Sequence, residues 1–329
     1  MIILGAAARR SALNQLDSVQ DLAGELKLAH GWLKDVIARA PTLYGRYEVP
    51  KSNGKVRVIR PPKRDLKHVQ RALLSFIYKR LRPPLYMHGG IPGRSTETHS
   101  RRHLGRHMVV TLDVRDFFPS TNRDRLAVVL NWCGLCEEAA EAALRLVTLD
   151  GALPQGSPTS CILANFAFHA ADGDFRRICV REHLRYSRYV DDIAISGEHE
   201  LRHLRGELHG AITKNGWKVA SEKTAFLGRN EPQIVTGLMV NDVLRPTSKW
   251  QAKLAVDIQR VLTEGPEELA DEEGLQPQEL VRRLEGQARH LAKFLHRRGE
   301  SLRKRLVYGL AQRERKDGEE SLEDPSGHP

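Results

Sequence analysis

Several stretches of the chain repeat their apolar positions with the period of a helix. Leu16, Val19, Leu22, Leu26, Leu28 and Leu33 fall near that spacing and predict helix over residues 11–40. A β-hairpin is predicted in YEVPKSNGKVRVIRPP (47–62), where β-formers flank the turn SNG and Pro61-Pro62 stop the second strand. DLKHVQRALLSFIYKRL (65–81) carries the stripe Leu66, Val69, Leu73, Phe76, Ile77 and Leu81, an amphipathic helix ended by Pro83-Pro84. After the glycine-rich HGGIPGRS (88–95) a second helical segment runs to about His103, and MVVTLDV (108–114) is a continuous apolar strand that reaches an acid at its end. Helix is predicted again around 122–148. It leads into the loop GALPQGSPTS, where Ser157 is placed as N-cap with Pro158 at the first helical position. The helix that follows is apolar nearly all round from Cys161 to Ala171 and is therefore expected to be buried.

RYVDDIAIS alternates on both sides of two adjacent acids, which predicts strand, tight turn, strand. A helix (199–215), a strand carrying a lysine (217–227) and a short hairpin, QIVTGLMVNDVLRP (233–246), follow it. From Thr247 onward the pattern is helical, and the acidic tail after Lys316, DGEESLEDPSGHP, is expected to be disordered. No internal repeat is visible.

Composition narrows the class. Apolar content of 40% with no apolar run near twenty residues argues against a membrane span. The N-terminal MIILGAAARR has its basic pair after the apolar residues, so no export signal is read there. The four cysteines form no disulfide framework in a chain of 329 residues, and a reducing cytoplasm fits. Cys133 and Cys136 form a CxxC pair that could be half a zinc site or a redox motif. Without a second pair they are read instead as small apolar residues near a helix start. Charge says more: 52 Lys+Arg against 41 Asp+Glu leave a net +11, which points to a polyanionic partner, nucleic acid first. The excess is concentrated, since Val281–Lys316 holds 12 Lys+Arg against 3 Glu.

The candidate chemistry lies in TLDVRDFFPS (111–120), LPQGSPTS (153–160) and YVDDIAIS (189–196). A carboxylate at the end of a buried strand is costly unless a cation neutralises it. Two neighbouring strands, one supplying Asp113 and the other Asp191 with Asp192, would hold two or three carboxylates close together. All-oxygen ligands favour a hard ion such as Mg²⁺, and a pair of such ions suits nucleotidyl transfer. Each piece alone is weak: Asp-Asp is common in loops, LPQG could be an ordinary turn, and Asp116 could be a surface partner of Arg115. Their order and spacing carry the reading.

In that order the three pieces resemble motifs A, B and C of reverse transcriptases. The resemblance extends over roughly 50–245: KSNGKVRVIRPP with LKHVQRALLSFI is similar to the fingers block, HGGIPGRS to the next block, and SEKTAFLG (221–228) to motif D. IVTGLMVN (234–241) resembles the VTG-containing segment of bacterial retron reverse transcriptases. There is one departure. Where retron enzymes have NAxxH before motif A, this chain reads HSRRH at 99–103, with only His103 in place, which puts RNA contacts there in doubt. None of the 329 residues resembles a DNA endonuclease, an RNase H domain or a long maturase extension, which favours a compact retron enzyme.

The resemblance implies an α+β right-hand polymerase, with an antiparallel palm sheet backed by helices and a helical thumb. It implies an N-terminal extension (1–45), fingers (46–107 with part of 120–155), palm (108–245), a thumb that binds RNA or duplex (246–316) and a tail (317–329). Asp113, Asp191 and Asp192 would hold two Mg²⁺ ions, with Mn²⁺ as a substitute and the Val114 carbonyl as an extra ligand. Lys223 would donate a proton to the leaving pyrophosphate. Phe118 would be the steric gate against a ribose 2′-OH, or else a core phenylalanine. Gln155 and Gly156 would line the nucleotide pocket, and Arg57 with Lys51 or Lys55 would grip the triphosphate of a dNTP, or else form a solvated hairpin face. Tyr189 and Val190 would lie at the primer end, and His103, Thr236 and Gly237 would contact RNA.

In the C-terminal segment Leu280, Leu284, Leu291 and Leu295 form an apolar stripe, while Arg282, Arg289, Arg297 and Arg303 stand among the residues that would track phosphates. The implied partners are a cognate structured non-coding RNA, its cDNA product primed from a 2′-OH, and an effector protein in anti-phage defence. Two rivals remain: another bacterial reverse transcriptase group, of abortive-infection or untemplated type, and a non-catalytic RNA-binding relict.

Overall fold

The computed structural model describes residues 15–50 and 56–320. The chain divides into two compact units, Met1–Thr236 and Gly237–Pro329.

In the first unit, helices α1 (Val19–Leu26) and α2 (His30–Arg39) replace the single predicted helix over 11–40. Ser18 and Asp21 form a capping box that fixes where α1 starts, and Lys27, left-handed at φ 57°, ends it. The hairpin has strands β1 (Tyr47–Pro50) and β2 (Val56–Ile59), antiparallel with Tyr47 opposite Ile59. Helix α3 (Arg64–Arg80) buries Leu66, Val69, Leu73, Phe76 and Ile77 as its stripe predicts. Helix α4 (Thr96–Arg101) precedes β3 (Met108–Asp113), and the one-turn helix α5 (Phe117–Ser120) follows. The predicted helix over 122–148 is two, α6 (Arg123–Trp132) and α7 (Glu137–Val147), parted at the CxxC pair, where Cys136 is the N-cap of α7. All four cysteines are free. Burial pushes the Cys133 thiol up to about 12, unlike a metal or redox thiol.

Helix α8 (Ser160–Ala167) starts later than predicted, with Thr159 as its N-cap. Ser157 is drawn elsewhere: its hydroxyl donates to Gln70 Oε1 at 2.8 Å, and Gln70 Nε2 donates in turn to the Leu146 carbonyl at 2.8 Å. Helix α9 (His169–Arg181) continues after Phe168, so the apolar run 161–171 spans two helices. Strands β4 (Arg185–Tyr189) and β5 (Asp192–Gly197) flank the acidic turn. The helix predicted over 199–215 opens as a 3₁₀ turn at Arg202–Leu204 and becomes α10 over Arg205–Thr213. The predicted strand over 217–227 is reduced to β6 (Ala225–Gly228), and Lys223 instead closes a 3₁₀ turn, Ser221–Lys223. Strand β7 (Ile234–Val235) ends the unit.

The sheet order β4-β5-β3-β6 is antiparallel throughout, and β3 sits inside it with β5 on one side and β6 on the other. Val109, Val110 and Leu112 of β3 are almost fully buried, which is why its sequence reads as an unbroken apolar run. Phe117, Phe168 and Trp217 pack edge to face or tilted with centroids 5.1–5.6 Å apart, anchoring α5 beneath the end of β3.

The second unit contains β8 (Leu238–Met239) paired with β9 (Arg245–Pro246), then helices α11 (Ser248–Glu264), α12 (Pro266–Glu272), α13 (Pro277–Ala292) and α14 (His296–Glu320). Its own core gathers Leu254, Ile258, Val261, Leu280, Leu284, Leu291, Leu302 and Leu306. Leu295 packs at the margin of that core. Helix α14 carries on past Lys316 to Glu320, and the rest of the predicted tail lies outside the described residues. No helix among the described residues is long and apolar enough to cross a membrane.

Candidate active site

β3 ends on Asp113, and the register places Asp192, the first residue of β5, directly opposite it. Asp191 occupies the turn just before. Sequence and sheet pairing thus bring all three acids to one edge, as the strand-turn-strand reading requires. A cavity of about 700 Å³ opens there, lined by Asp113, Val114, Phe118, Gln155, Asp191, Lys223 and Arg57 among others. Asp113 and Asp191 line it; Asp192 does not, although it stands next to both.

The acids repel one another. Burial first, then the charge of Asp113, raises the Asp191 carboxyl, with Lys223 and Arg57 opposing. Asp192 reaches solvent on one side, yet the packing around it and the charges of Asp191 and Asp113 push it up to about 7. Lys223 supplies the nearest positive charge, its Nζ donating to Asp113 Oδ2 at 2.8 Å. Burial opposes the ammonium, but that hydrogen bond and the three aspartates raise it, so it keeps its proton.

Among the described residues no three His, Cys, Asp and Glu side chains close up into a metal cage. A hard Mg²⁺ site is compatible with that, because such an ion takes one or two carboxylates and fills its shell from phosphate and water. The donor set, three clustered carboxylates of which Asp191 and Asp192 are disfavoured as anions by burial and by their neighbours' charge, fits a divalent cation.

The surrounding residues are held by main-chain contacts. Val114 bridges to Val219, and the Ala220 amide donates to the Asp113 carbonyl at 2.9 Å, which brings the Lys223 turn beside the acids. Arg115 pairs with Glu222 at 2.7 Å, not with Asp116, which is left-handed at φ 48° before α5. The Arg60 amide donates to the Gln155 carbonyl at 2.7 Å, joining the hairpin to the loop that carries Gln155. Gly156 is required there: its φ is +103°, and a Cβ would stand 2.8 Å from Ile59 Cγ2. Arg57 lies on the hairpin and faces the cavity, whereas Lys51 and Lys55 fall outside the described residues.

The acidic turn has an unusual backbone. Val190 is left-handed at φ 59°, an outlier for a β-branched residue, at a cost of about 1–3 kcal/mol. Gly89 backs it so closely that a Cβ there would lie 2.3 Å from Val190 Cγ2 and 2.7 Å from its amide nitrogen.

His103 needs correcting as an RNA contact. It is fully buried, its ring nitrogens 2.8 Å from Ser196 Oγ and 2.7 Å from Ser187 Oγ, so it ties the end of α4 to strands β5 and β4 and is turned away from any RNA. The Thr236 hydroxyl is likewise turned inward, 3.0 Å from Ser100 Oγ and 3.3 Å from His99 Nδ1, while Gly237 is exposed. The departure HSRRH therefore packs against the VTG segment from within. Tyr189 is half-buried, its ring 6.2 Å from that of His99.

Burial holds His88 near 4 and His99 near 3, with nearby arginines contributing, and holds His103 well below its ordinary value. The unfolded chain binds these protons near pH 6.5 and the folded chain does not, so their contribution to stability is full above about 6.5 and is lost as pH falls towards 4. Thermal melts from pH 7 to 4.5 are expected to show a steep loss of Tm, and His88→Gln is expected to flatten it. An unchanged slope in that variant would remove the histidines as the cause.

A family model described as reverse transcriptase (RNA-dependent DNA polymerase) matches residues 49–249, most of the chain and every element of the cavity. The chain belongs to the reverse transcriptase family. Its fold is the right-hand polymerase fold of that family. Retron Mx65 reverse transcriptase of Myxococcus xanthus is 32% identical over 249 residues, covering 68% of this chain and 58% of the relative. Retron Mx162 reverse transcriptase of the same organism is 31% identical over 268 residues, covering 71% and 55%. The chain thus spans a little over half the length of these curated relatives. Among solved structures, a telomerase from Candida albicans with a fragment of telomeric RNA aligns at TM-score 0.46 and 10% identity, over 82% of this chain and 60% of that one.

Sequence reasoning missed Arg188. It is fully buried, donating from Nε to Asp172 Oδ1 at 2.7 Å and from Nη2 to Asp172 Oδ2 at 2.9 Å. The available signal was an arginine between a serine and a tyrosine directly before the acidic turn, together with an acid, Asp172, on the packed side of a helix.

Proposed function

We propose that this reverse transcriptase is an RNA-directed DNA polymerase of the retron type, copying a cognate structured RNA into short cDNA. The observation that carries it is the cavity in which Asp113 and Asp191 face Phe118, Gln155, Arg57 and Lys223. Asp113, Asp191 and the Val114 carbonyl would hold Mg²⁺ or Mn²⁺, with Asp192 in support. When bound, such ions supply Lewis-acid activation of the attacking hydroxyl and stabilise the leaving oxygen. The chain's own residues do the rest. Arg57 grips the triphosphate of the incoming dNTP, Gln155 and Gly156 bound its base and sugar, and Phe118 excludes a 2′-OH. Lys223 holds a proton at Nζ for the pyrophosphate. Tyr189 and Val190 border the primer terminus.

Residues 46–107 with part of 120–155 act as fingers, 108–245 as palm and 246–316 as thumb. In the thumb, Arg289 pairs with Glu285 at 2.6 Å and Arg303 with Glu300 at 3.0 Å. Arg282 and Arg297 are exposed, with no acidic partner recorded among the described residues, and are the better phosphate contacts. Two relatives are described as retron reverse transcriptases, and from the resemblance of the motifs the reading extends to 2′-OH priming from that RNA, an effector partner and a role in anti-phage defence in the cytoplasm.

The test is purification from the native locus, sequencing of the bound nucleic acid and identification of bound protein. A single short cDNA joined to one RNA is expected. Random untemplated DNA would favour the abortive-infection type, and RNA with no DNA, together with no primer extension, would favour a relict.

A further inference from the structure

We propose that Arg188 is the positioning residue of the acidic turn, fixing the Val190 carbonyl and with it the direction in which Asp191 enters the cavity; this rests on the polymerase reading above. The guanidinium is fully buried, so it is no surface for a ligand. Its donors are all directed. Besides the two bonds to Asp172, Nη2 donates to the Asn165 carbonyl at 2.6 Å, Nη1 donates to Asn165 Oδ1, and Nη1 also donates to the Val190 carbonyl at 3.1 Å. Asp172 accepts a further bond from the neutral Tyr186 hydroxyl at 2.5 Å, which fills another of its oxygen lone pairs.

The same hub grips the turn from its other side. Asn165 Nδ2 donates to the Gly89 carbonyl at 2.8 Å, and Gly89 is the residue pressed against Val190. Next to it the His88 amide donates to the Arg188 carbonyl, and the Arg188 amide to the Tyr86 carbonyl, both at 2.8 Å. The left-handed Val190 therefore stands between two walls, both tied to Asn165 and Arg188. A β-branched residue holds that conformation only where its surroundings over-determine it.

Stability alone does not account for the pair. A buried ion pair is on balance about as stabilising as packed apolar residues of similar volume, so its presence is better explained by the geometry its fork imposes. Groups that orient a ligand from behind typically change metal affinity or turnover 10–100-fold when removed.

The test uses the full chain with Arg188→Met, Asp172→Leu and Tyr186→Phe combined, which removes the charges together. The readouts are thermal unfolding, Mn²⁺ binding by electron paramagnetic resonance, and kcat and KM for dNTP on a primed RNA template. We expect a melt near that of the unsubstituted chain, Mn²⁺ bound roughly tenfold or more weakly, and kcat reduced by a similar factor with KM for dNTP little changed. A folded triple variant with unaltered Mn²⁺ affinity and kcat overturns the proposal. Should the triple variant not fold, Arg188→Lys decides. It keeps the charge but cannot bridge Asp172 and Val190 at once, so the same losses are expected, and wild-type values overturn the proposal. If the unsubstituted chain extends no primer, the polymerase reading fails, while the Mn²⁺ measurement still reports on the turn.

Discussion

Asp191→Asn is expected to lower nucleotide incorporation on a primed RNA template roughly thousandfold, about 4 kcal/mol of lost charge stabilisation. Asp113→Asn should match it, since both acids line the cavity where the two strands converge. Asp192→Asn is expected to cost far less. Its carboxyl, pushed up to about 7, stands beside the cavity and not in it, and it carries a smaller share of the negative charge at neutral pH. Single-turnover incorporation with saturating Mg²⁺ and dNTP separates the three, and equal losses at Asp191 and Asp192 would refute the unequal roles. Asp191→Asn also removes one of the repelling carboxylates, so the metal-free variant should melt no lower than the parent chain, which distinguishes lost chemistry from lost fold.

The second large effect concerns sugar selection. Phe118 is half-buried and faces the cavity, held by edge contact with Phe117 at a centroid distance of 5.9 Å. Phe117, in turn, is locked against Phe168 and Trp217. Phe118→Ala should therefore leave the fold in place and open the space a 2′-OH would fill. The ratio of kcat/KM for dNTP to that for rNTP is expected to fall by roughly 10- to 100-fold. An unchanged ratio would reduce Phe118 to a packing residue. Phe117→Ala makes the contrast, because deleting that ring should cost about 3–5 kcal/mol of stability.

Much of this site was legible because its residues break local rules of burial. Asp113 ends a strand that is otherwise apolar, and Asp191-Asp192 sit where a hairpin has no solvated loop. A carboxylate in such a place asks for a counter-charge, and order along the chain supplied the rest. What was not legible depends on partners distant in sequence. Ser157 had the chemistry of an N-cap, but Gln70, 87 residues away, takes its hydroxyl. Lys223 was placed in a strand over 217–227, whereas the Asp113 carbonyl accepts from the Ala220 amide and a 3₁₀ turn, Ser221–Lys223, follows at once. His103 was read as reaching outward to RNA, and two serines on adjacent strands hold it inside. The helix break at Lys27 was invisible to periodicity, because the apolar stripe of Leu26, Leu33 and Ile37 resumes in phase after it.

The join between the hairpin and the loop that carries Gln155 has a consequence for how freely this surface can change. Its donor is the Arg60 amide and its acceptor the Gln155 carbonyl, both main-chain groups. Side-chain replacement at either position leaves that bond intact; only a proline at 60 deletes the donor. Hairpin side chains other than Arg57 can thus change without loosening the loop, whose anchorage rests on these main-chain groups and on the glycine at 156.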